Sequence, residues 1–188
     1  MKKWDRDYWD GSRDTGYGGY SYDGRWRAVA QEMASYYGIK SGDRILDIGC
    51  GRAHLLYEFT QVVPGVEIFG IDVSQYGVET AKEEIRSNLT VGDCTDLPWP
   101  DRYFDFVLSL NLFHNLELFD LWGAITEMER VGKNEKKYLV VESWRSEEEK
   151  ANMLYWAIPC ESFYSPAAWE WFFEKVGYRG DHGYIFFE

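Results

Sequence analysis

Cysteine and histidine are scarce, with three of each in 188 residues. Cys50, Cys94 and Cys160 lie far apart with no C-x-x-C spacing, and the histidines show no ligand spacing, so neither a disulfide framework nor a metal site is indicated. Long apolar runs are also missing. No stretch reaches the roughly 18 apolar residues of a membrane span, and Met1-Lys2-Lys3 leads into Trp4-Asp5-Arg6-Asp7 rather than the apolar core of a leader. These absences predict a cytoplasmic protein with no membrane segment. Basic charge is short as well. Lys and Arg total 20 against 32 acids, for a net charge of −12, and Lys133, Lys136 and Lys137 form the one local basic cluster. A phosphate backbone or an anionic membrane surface needs a basic footprint, so both are disfavoured as partners.

Aromatic residues, by contrast, are plentiful, with 9 Trp, 14 Tyr and 11 Phe. Residues 1–24 place six Tyr and Trp among glycines and aspartates without helical or strand periodicity, which predicts an irregular arm. An ordinary disordered tail is poor in aromatics. This one has flat faces to lay over a bound ligand, so residues 1–37, comprising the arm and the helix spaced by Trp26, Val29, Ala30, Met33, Ala34 and Tyr37, read as a lid. Residues 38–188 read as one core domain, with an insertion at about 145–164.

The centre of that core is Arg44-Ile45-Leu46-Asp47-Ile48-Gly49-Cys50-Gly51-Arg52-Ala53-His54-Leu55-Leu56. An apolar strand ends in an acid, passes two glycines one residue apart, and enters a helix pattern. Glycines let a ligand approach the backbone, and the free N–H groups of the following helix face the same spot. A pyrophosphate at that helix start would be repelled by Asp47. A cofactor with an ammonium group and no phosphate suits the acid better.

Further along, Val66 to Ile71 forms a strand closing on Asp72, about 20 residues past the glycine turn, the distance at which an acid reaches a ribose in nucleotide-binding α/β folds. Ser74 is left to cap the next helix. Leu89-Thr90-Val91-Gly92-Asp93-Cys94 is a short strand followed by an acid. Phe104 to Asn111 is a buried strand whose carboxyl end opens into Leu112-Phe113-His114-Asn115-Leu116. Lys137 to Val141 is a fifth strand with Glu142, Ser143 and Trp144 at its end, and Tyr184 to Phe187 is the last. Alternation of strand and helix from residue 43 onward argues a parallel sheet covered on both faces.

Asp47, Gly49 and Gly51 resemble motif I of the class I S-adenosylmethionine-dependent methyltransferases, with Ala53 in place of the usual third glycine. Asp72, then Asp93 with Cys94, resemble the family's later acid-bearing segments, and Phe104 to Asn111 its motif IV. The resemblance covers roughly residues 40–188 and is strongest over 44–116. It implies a Rossmann-like, three-layer α/β sandwich with a mostly parallel sheet and an antiparallel last strand. It also implies S-adenosyl-L-methionine as cofactor, leaving as S-adenosyl-L-homocysteine, with Asp47, Gly49, Cys50 and Gly51 at its methionine end. Asp72 and Val73 would lie at the ribose, Asp93 and Cys94 at the adenine, and Asn111 alongside.

Methyl transfer to a hydroxyl profits from a general base, and a neutral histidine is efficient near pH 7. His114 at the strand end is the candidate, with Glu142 as the alternative. An amine acceptor would instead favour acids and aromatic walls, for which Tyr17, Tyr20, Tyr22, Trp144, Tyr155 and Tyr164 are the candidates. The expected acceptor is a small polar molecule: a hydroxyl or amine of a sugar, a nucleotide-linked sugar or a metabolite. A homodimer is compatible with the sequence. Two rivals stand beside this reading. One is a catalytically silent cofactor-binding module serving as partner or regulatory subunit, and the other is a nicotinamide oxidoreductase, against which Asp47 and the missing third glycine weigh.

Overall fold

The computed structural model describes residues 4–16, 19–156 and 159–188. The strands among them are β1 (Arg44–Ile48), β2 (Glu67–Asp72), β3 (Leu89–Val91), β4 (Phe106–Leu110), β5 (Lys137–Glu142) and β6 (Asp181–Ile185). They form one sheet in the order β3-β2-β1-β4-β5-β6. The chain runs outward from β1 to β3, then returns to add β4 on the other side of β1. That reversal opens a crevice at the carboxyl ends of β1 and β4, where ligands bind in open α/β sheets.

Strand residues alternate between faces, and the two cores follow from that alternation. Ile45, Phe106 and Leu108 pack under α2 (Trp26–Tyr37) and α3 (His54–Val62). Leu46, Ile48, Val107, Leu139 and Val141 pack under α6 (Leu118–Val131) and α8 (Pro166–Val176). The helices are built to match. α2 buries Ala30, Met33 and Tyr37 and stops at Gly38 in the left-handed region, which glycine adopts without a Cβ clash. α8 starts on Pro166, buries Trp169, Phe172 and Phe173, and stops at Gly177. The result is the expected three-layer sandwich.

Three local expectations change. All five strand pairings are parallel, including β5 with β6, so the last strand is not antiparallel. The chain goes from β5 to β6 through α8, a crossover that returns it to the same end of the sheet. An antiparallel neighbour would need a hairpin there. The stretch after Ser74 forms two short helices, α4 (Gln75–Glu79) and α5 (Glu83–Arg86), rather than one. Lys82 leaves helical backbone between them and sets its ammonium 3.8 Å from the centre of the Tyr22 ring and 4.1 Å from that of Tyr57. Within the segment 145–164, read from sequence only as an insertion, Glu147–Trp156 forms a helix, α7, with Met153 buried against Trp144, Cys160, Phe163 and Phe187.

Helix α1 (Arg6–Asp10), through Trp9, and Tyr20 beyond it border the cavities at the carboxyl ends of the strands. No helix among the described residues is long and apolar enough to cross a membrane.

The layering predicts where substitutions matter. Leu108→Ala on β4, whose side chain is fully enclosed, is expected to cost about 2–5 kcal/mol in urea unfolding. Phe119→Ala on the outer face of α6, 87% exposed, should stay within about 0.5 kcal/mol.

Candidate active site

Asp47 sits one residue before the end of β1, on the face covered by α3, and only 6% of it is exposed. It has no hydrogen-bond or ion-pair partner among the described residues. Burial, with the Asp72 carboxylate as a smaller second cause, pushes its carboxyl up to about 8. A buried acid left this way favours a cationic ligand. Immediately after it the backbone turns at Gly49 (φ 81°) and Gly51 (φ 53°), and a Cβ on Gly49 would stand 2.8 Å from Leu112. The glycines are required here by both backbone conformation and space.

Asp72 closes β2 and folds back onto the same turn. Its Oδ2 accepts from the Gly51 amide at 2.7 Å and its Oδ1 from the Ser74 amide at 2.7 Å. Capping of α4 falls to Ser74, whose Oγ accepts from the Gly77 amide at 3.0 Å. Burial raises the Asp72 carboxyl while the two amides oppose the shift. A carboxylate offers about four acceptor positions, so Asp72 keeps capacity for hydroxyl donors.

Two adjoining cavities meet over the glycine turn. The first, about 210 Å3, runs from Gly49 past Asp72 and Val73 to Asp93, Cys94, Asn115 and Asp120. The second, about 420 Å3, holds Asp47, Cys50, Gly51 and His54 on its floor and Tyr20, Asp23 and Trp26 on its walls. Gly49, Leu110, Asn111 and Trp9 border both. Asn111 ends β4 in the left-handed region (φ 61°), and its Oδ1 and that of Asn115 are buried without a partner among the described residues. Unsatisfied buried acceptors at the junction are what a site built around a polar ligand leaves when the protein is considered alone.

The arm forms the roof. The Trp9 indole packs against Gly51 and Gly77, where a Cβ would come within 2.5 and 3.2 Å of its ring, and donates from Nε1 to Ser74 Oγ at 2.8 Å. Arg52, in the glycine turn, ties the arm down. Its guanidinium binds Asp10 Oδ2 at 2.7 Å, Thr80 Oγ1 at 3.0 Å and the carbonyl oxygen of Tyr20. Arg52 and the Tyr76 hydroxyl together hold the Asp10 carboxyl below its usual range. A second tie is the fully enclosed Glu58 of α3, which accepts from the Tyr22 hydroxyl and, at 2.8 Å, from Arg27 Nε.

The cofactor residues inferred from sequence all line the two joined cavities: Asp72, Val73, Asp93 and Cys94 the first, Asp47, Cys50 and Gly51 the second, and Gly49 and Asn111 both. The acceptor-side candidates disperse. Tyr20 lines the second cavity, and Tyr22 packs edge-on against His54 and Tyr57 beside it. Tyr17 lies outside the described residues. Trp144 packs with Met153 under Lys150, Tyr164 packs on Trp169, and Tyr155 is 85% exposed; none of these three borders either cavity.

His114 and Glu142 also lie off the cleft and face each other. The Glu142 amide donates to His114 Nδ1 at 3.2 Å, which leaves the proton of the neutral ring on Nε2, 3.6 Å from Glu142 Oε1. Burial lowers the His114 ring to about 3 and raises the Glu142 carboxyl to about 7. With its acceptor nitrogen occupied by backbone, His114 joins the tip of β5 to the turn after β4 and has no free lone pair for an acceptor. Sequence reasoning missed His54, Arg52 and Asp23, which do face or fasten the second cavity. The one signal for them was position, directly behind the glycine turn for His54 and Arg52.

Comparison with known proteins agrees with this geometry. A family model described as a methyltransferase domain matches residues 46–140, half of the chain. A demethylmenaquinone methyltransferase of Symbiobacterium thermophilum is 27% identical over 128 residues, covering 64% of this chain and 50% of the relative. The 27-O-demethylrifamycin SV methyltransferase of Amycolatopsis mediterranei is 30% identical over 110 residues, covering 55% and 39%. The chain therefore spans half or less of the length of these relatives. Among solved structures, the YcgJ protein of Bacillus subtilis superposes with a TM-score of 0.65 at 25% identity, over 79% of this chain and 67% of that one. With the acids, the glycine turn and the family match in agreement, the chain belongs to the class I methyltransferases, whose methyl donor is S-adenosylmethionine.

Proposed function

We propose that this chain transfers a methyl group from S-adenosylmethionine to a small polar molecule held between the glycine turn and the N-terminal arm. The observation that carries the reading is that the cavity lined by Asp72 and Asp93 and the cavity lined by Asp47, an acid buried without a partner among the described residues, join along Gly49, Leu110, Asn111 and Trp9. Asp47 would take the cationic methionine end, beside the close backbone approach allowed by Gly49, Cys50 and Gly51. Asp72 would accept from the ribose hydroxyls, Val73 would cover an apolar edge, and Asp93 with Cys94 would bound the adenine. When bound, the cofactor supplies a methyl group on a sulfonium that is its own leaving group. The work left to the protein is to bind, align and exclude water.

A small acceptor is supported by the size of the second cavity, about 420 Å3, and by the net charge of −12, which disfavours nucleic acid. Relatives named for demethylmenaquinone and a rifamycin support a small-molecule acceptor too. A silent binding module would need Asp47 and the glycine turn but no further lining beyond them, so the wall of Tyr20, Trp26 and His54 in the same chamber favours catalysis. Residues 1–37 act as the lid in this reading. Trp9 at the junction of the two chambers and the ties through Arg52 and Glu58 support that role.

Asp47 gives a test with a defined sign. Its value in the fold, about 8, lies above its ordinary 3.8. Between those values the folded chain keeps a proton that the unfolded chain has released, so stability falls as pH rises through that window. A cationic ligand needs the ionised form. Affinity for S-adenosylmethionine is therefore expected to rise roughly tenfold per pH unit from pH 6 and level off near 8. Asp47→Asn should abolish that dependence in calorimetry, weaken binding at pH 8, and raise Tm at the same pH. A variant that binds as tightly as the parent at pH 8 would overturn the assignment of Asp47.

For the lid, Trp9→Ala is expected to speed dissociation of S-adenosylhomocysteine at least tenfold in stopped-flow measurements. An unchanged or slower rate would show that the arm does not retain the cofactor.

A further inference from the structure

His54 is the first residue of α3, directly behind the glycine turn, and lies on the floor of the second cavity with Asp47 and Gly51. Only 6% of it is exposed. Its ring is stacked on Tyr20 (centroids 4.9 Å, planes at 17°) and met edge-on by Tyr22 at 5.6 Å. These contacts fix the plane of the imidazole but use neither nitrogen, and no described residue hydrogen-bonds to either one. Its ring nitrogens are thus left by the protein to whatever polar group enters the cavity. Neighbours that order a ring while leaving its edge unclaimed are how a protein prepares a contact for a ligand.

We propose that His54 is the acceptor-binding residue of the methyl-transfer site, its bare ring nitrogen receiving a hydrogen bond from the hydroxyl of a small planar acceptor seated beside Tyr20 and Trp26. This rests on the function proposed above. Burial, then the charges of Arg52 and Lys82, lower the ring to about 4 against the weaker opposing pull of Asp23, so it is neutral near pH 7 with one nitrogen able to accept. The same two cations disfavour an ammonium at this point, which selects a hydroxyl over a protonated amine. A hydroxyl oxygen gaining a carbon becomes strongly acidic. A weakly basic imidazole therefore suffices to receive its proton at the accepting nitrogen and pass it to water. His54 thus fills the role that sequence assigned to His114, which lies outside the cavity.

The chain has three histidines, so ring nitrogens can be followed individually in 15N-histidine-labelled protein. S-adenosylhomocysteine is expected to bind by calorimetry while leaving the His54 ring signals nearly in place. Phenol, catechol and 2-phenylethanol, each added at millimolar concentration to that complex, are the probes. At least one should shift the His54 signals without moving those of His114 or His182. His54→Phe, which retains the stacking on Tyr20, should weaken that probe at least tenfold and change S-adenosylhomocysteine affinity less than threefold, with His54→Gln recovering part of the loss. If S-adenosylhomocysteine alone shifts the His54 signals, or His54→Phe lowers its affinity tenfold, the residue serves the cofactor and the proposal fails. It fails equally if none of the three probes moves the signals. Absence of any S-adenosylhomocysteine binding would instead strike at the proposed function itself.

Discussion

The rest of this structure is arranged around one unfavourable feature, a carboxyl group buried near the end of β1, one of the two central strands, with no described residue to pair it. Asp47 stays there because β1 is held on both sides, by β2 and by β4, and because Leu46 and Ile48 on the opposite face are locked into the core beneath α6 and α8. A one-residue slip of β1 would bury the acid in that core and turn two apolar side chains toward the cleft. The register that places the acid correctly is therefore the register that packs the protein. Stability given up at the tip is offset by the sandwich on either side.

The glycine turn then couples the acid to everything around it. Its Gly51 amide is held by Asp72, its Gly49 and Cys50 amides by the Ile71 carbonyl, and its surface by Trp9. Two chambers result, one lined by the acids and amides suited to a nucleoside, the other by Tyr20, Trp26, Asp23 and His54. The arm that roofs them is fastened by buried or half-buried charge pairs that reach Arg52 and Glu58. Such pairs hold better than exposed ones because water screens them less.

Most of the core was legible in the sequence because apolar spacing has a period, and periods survive without a structure. The strand through Asp47 and the helix through Met33 both declared themselves in this way. So did the cleft, since three acids at strand ends in a parallel sheet must point to one edge. What was not legible depended on distance or direction. The last strand is parallel because a helix crossover delivers it to β5, and no residue within Asp181–Ile185 encodes that. Arg52 with Asp10, and Glu58 with Tyr22, join residues with no shared local pattern. His114 looked apt from its place after a strand, but the Glu142 amide takes its acceptor nitrogen. His54 passed as one more helical residue, since only the fold reveals which side chains at the start of α3 face inward.

Arg52 has a consequence that reaches past holding the arm in place. It is a residue of the turn that would touch a ligand, and it also grips Asp10, the Tyr20 carbonyl and Thr80. Displacement of the turn by a bound molecule must therefore change the free energy of the arm, and by thermodynamic reciprocity the seating of the arm must change affinity at the turn by the same factor. A single guanidinium thus makes entry, residence and exit at this cleft one linked equilibrium.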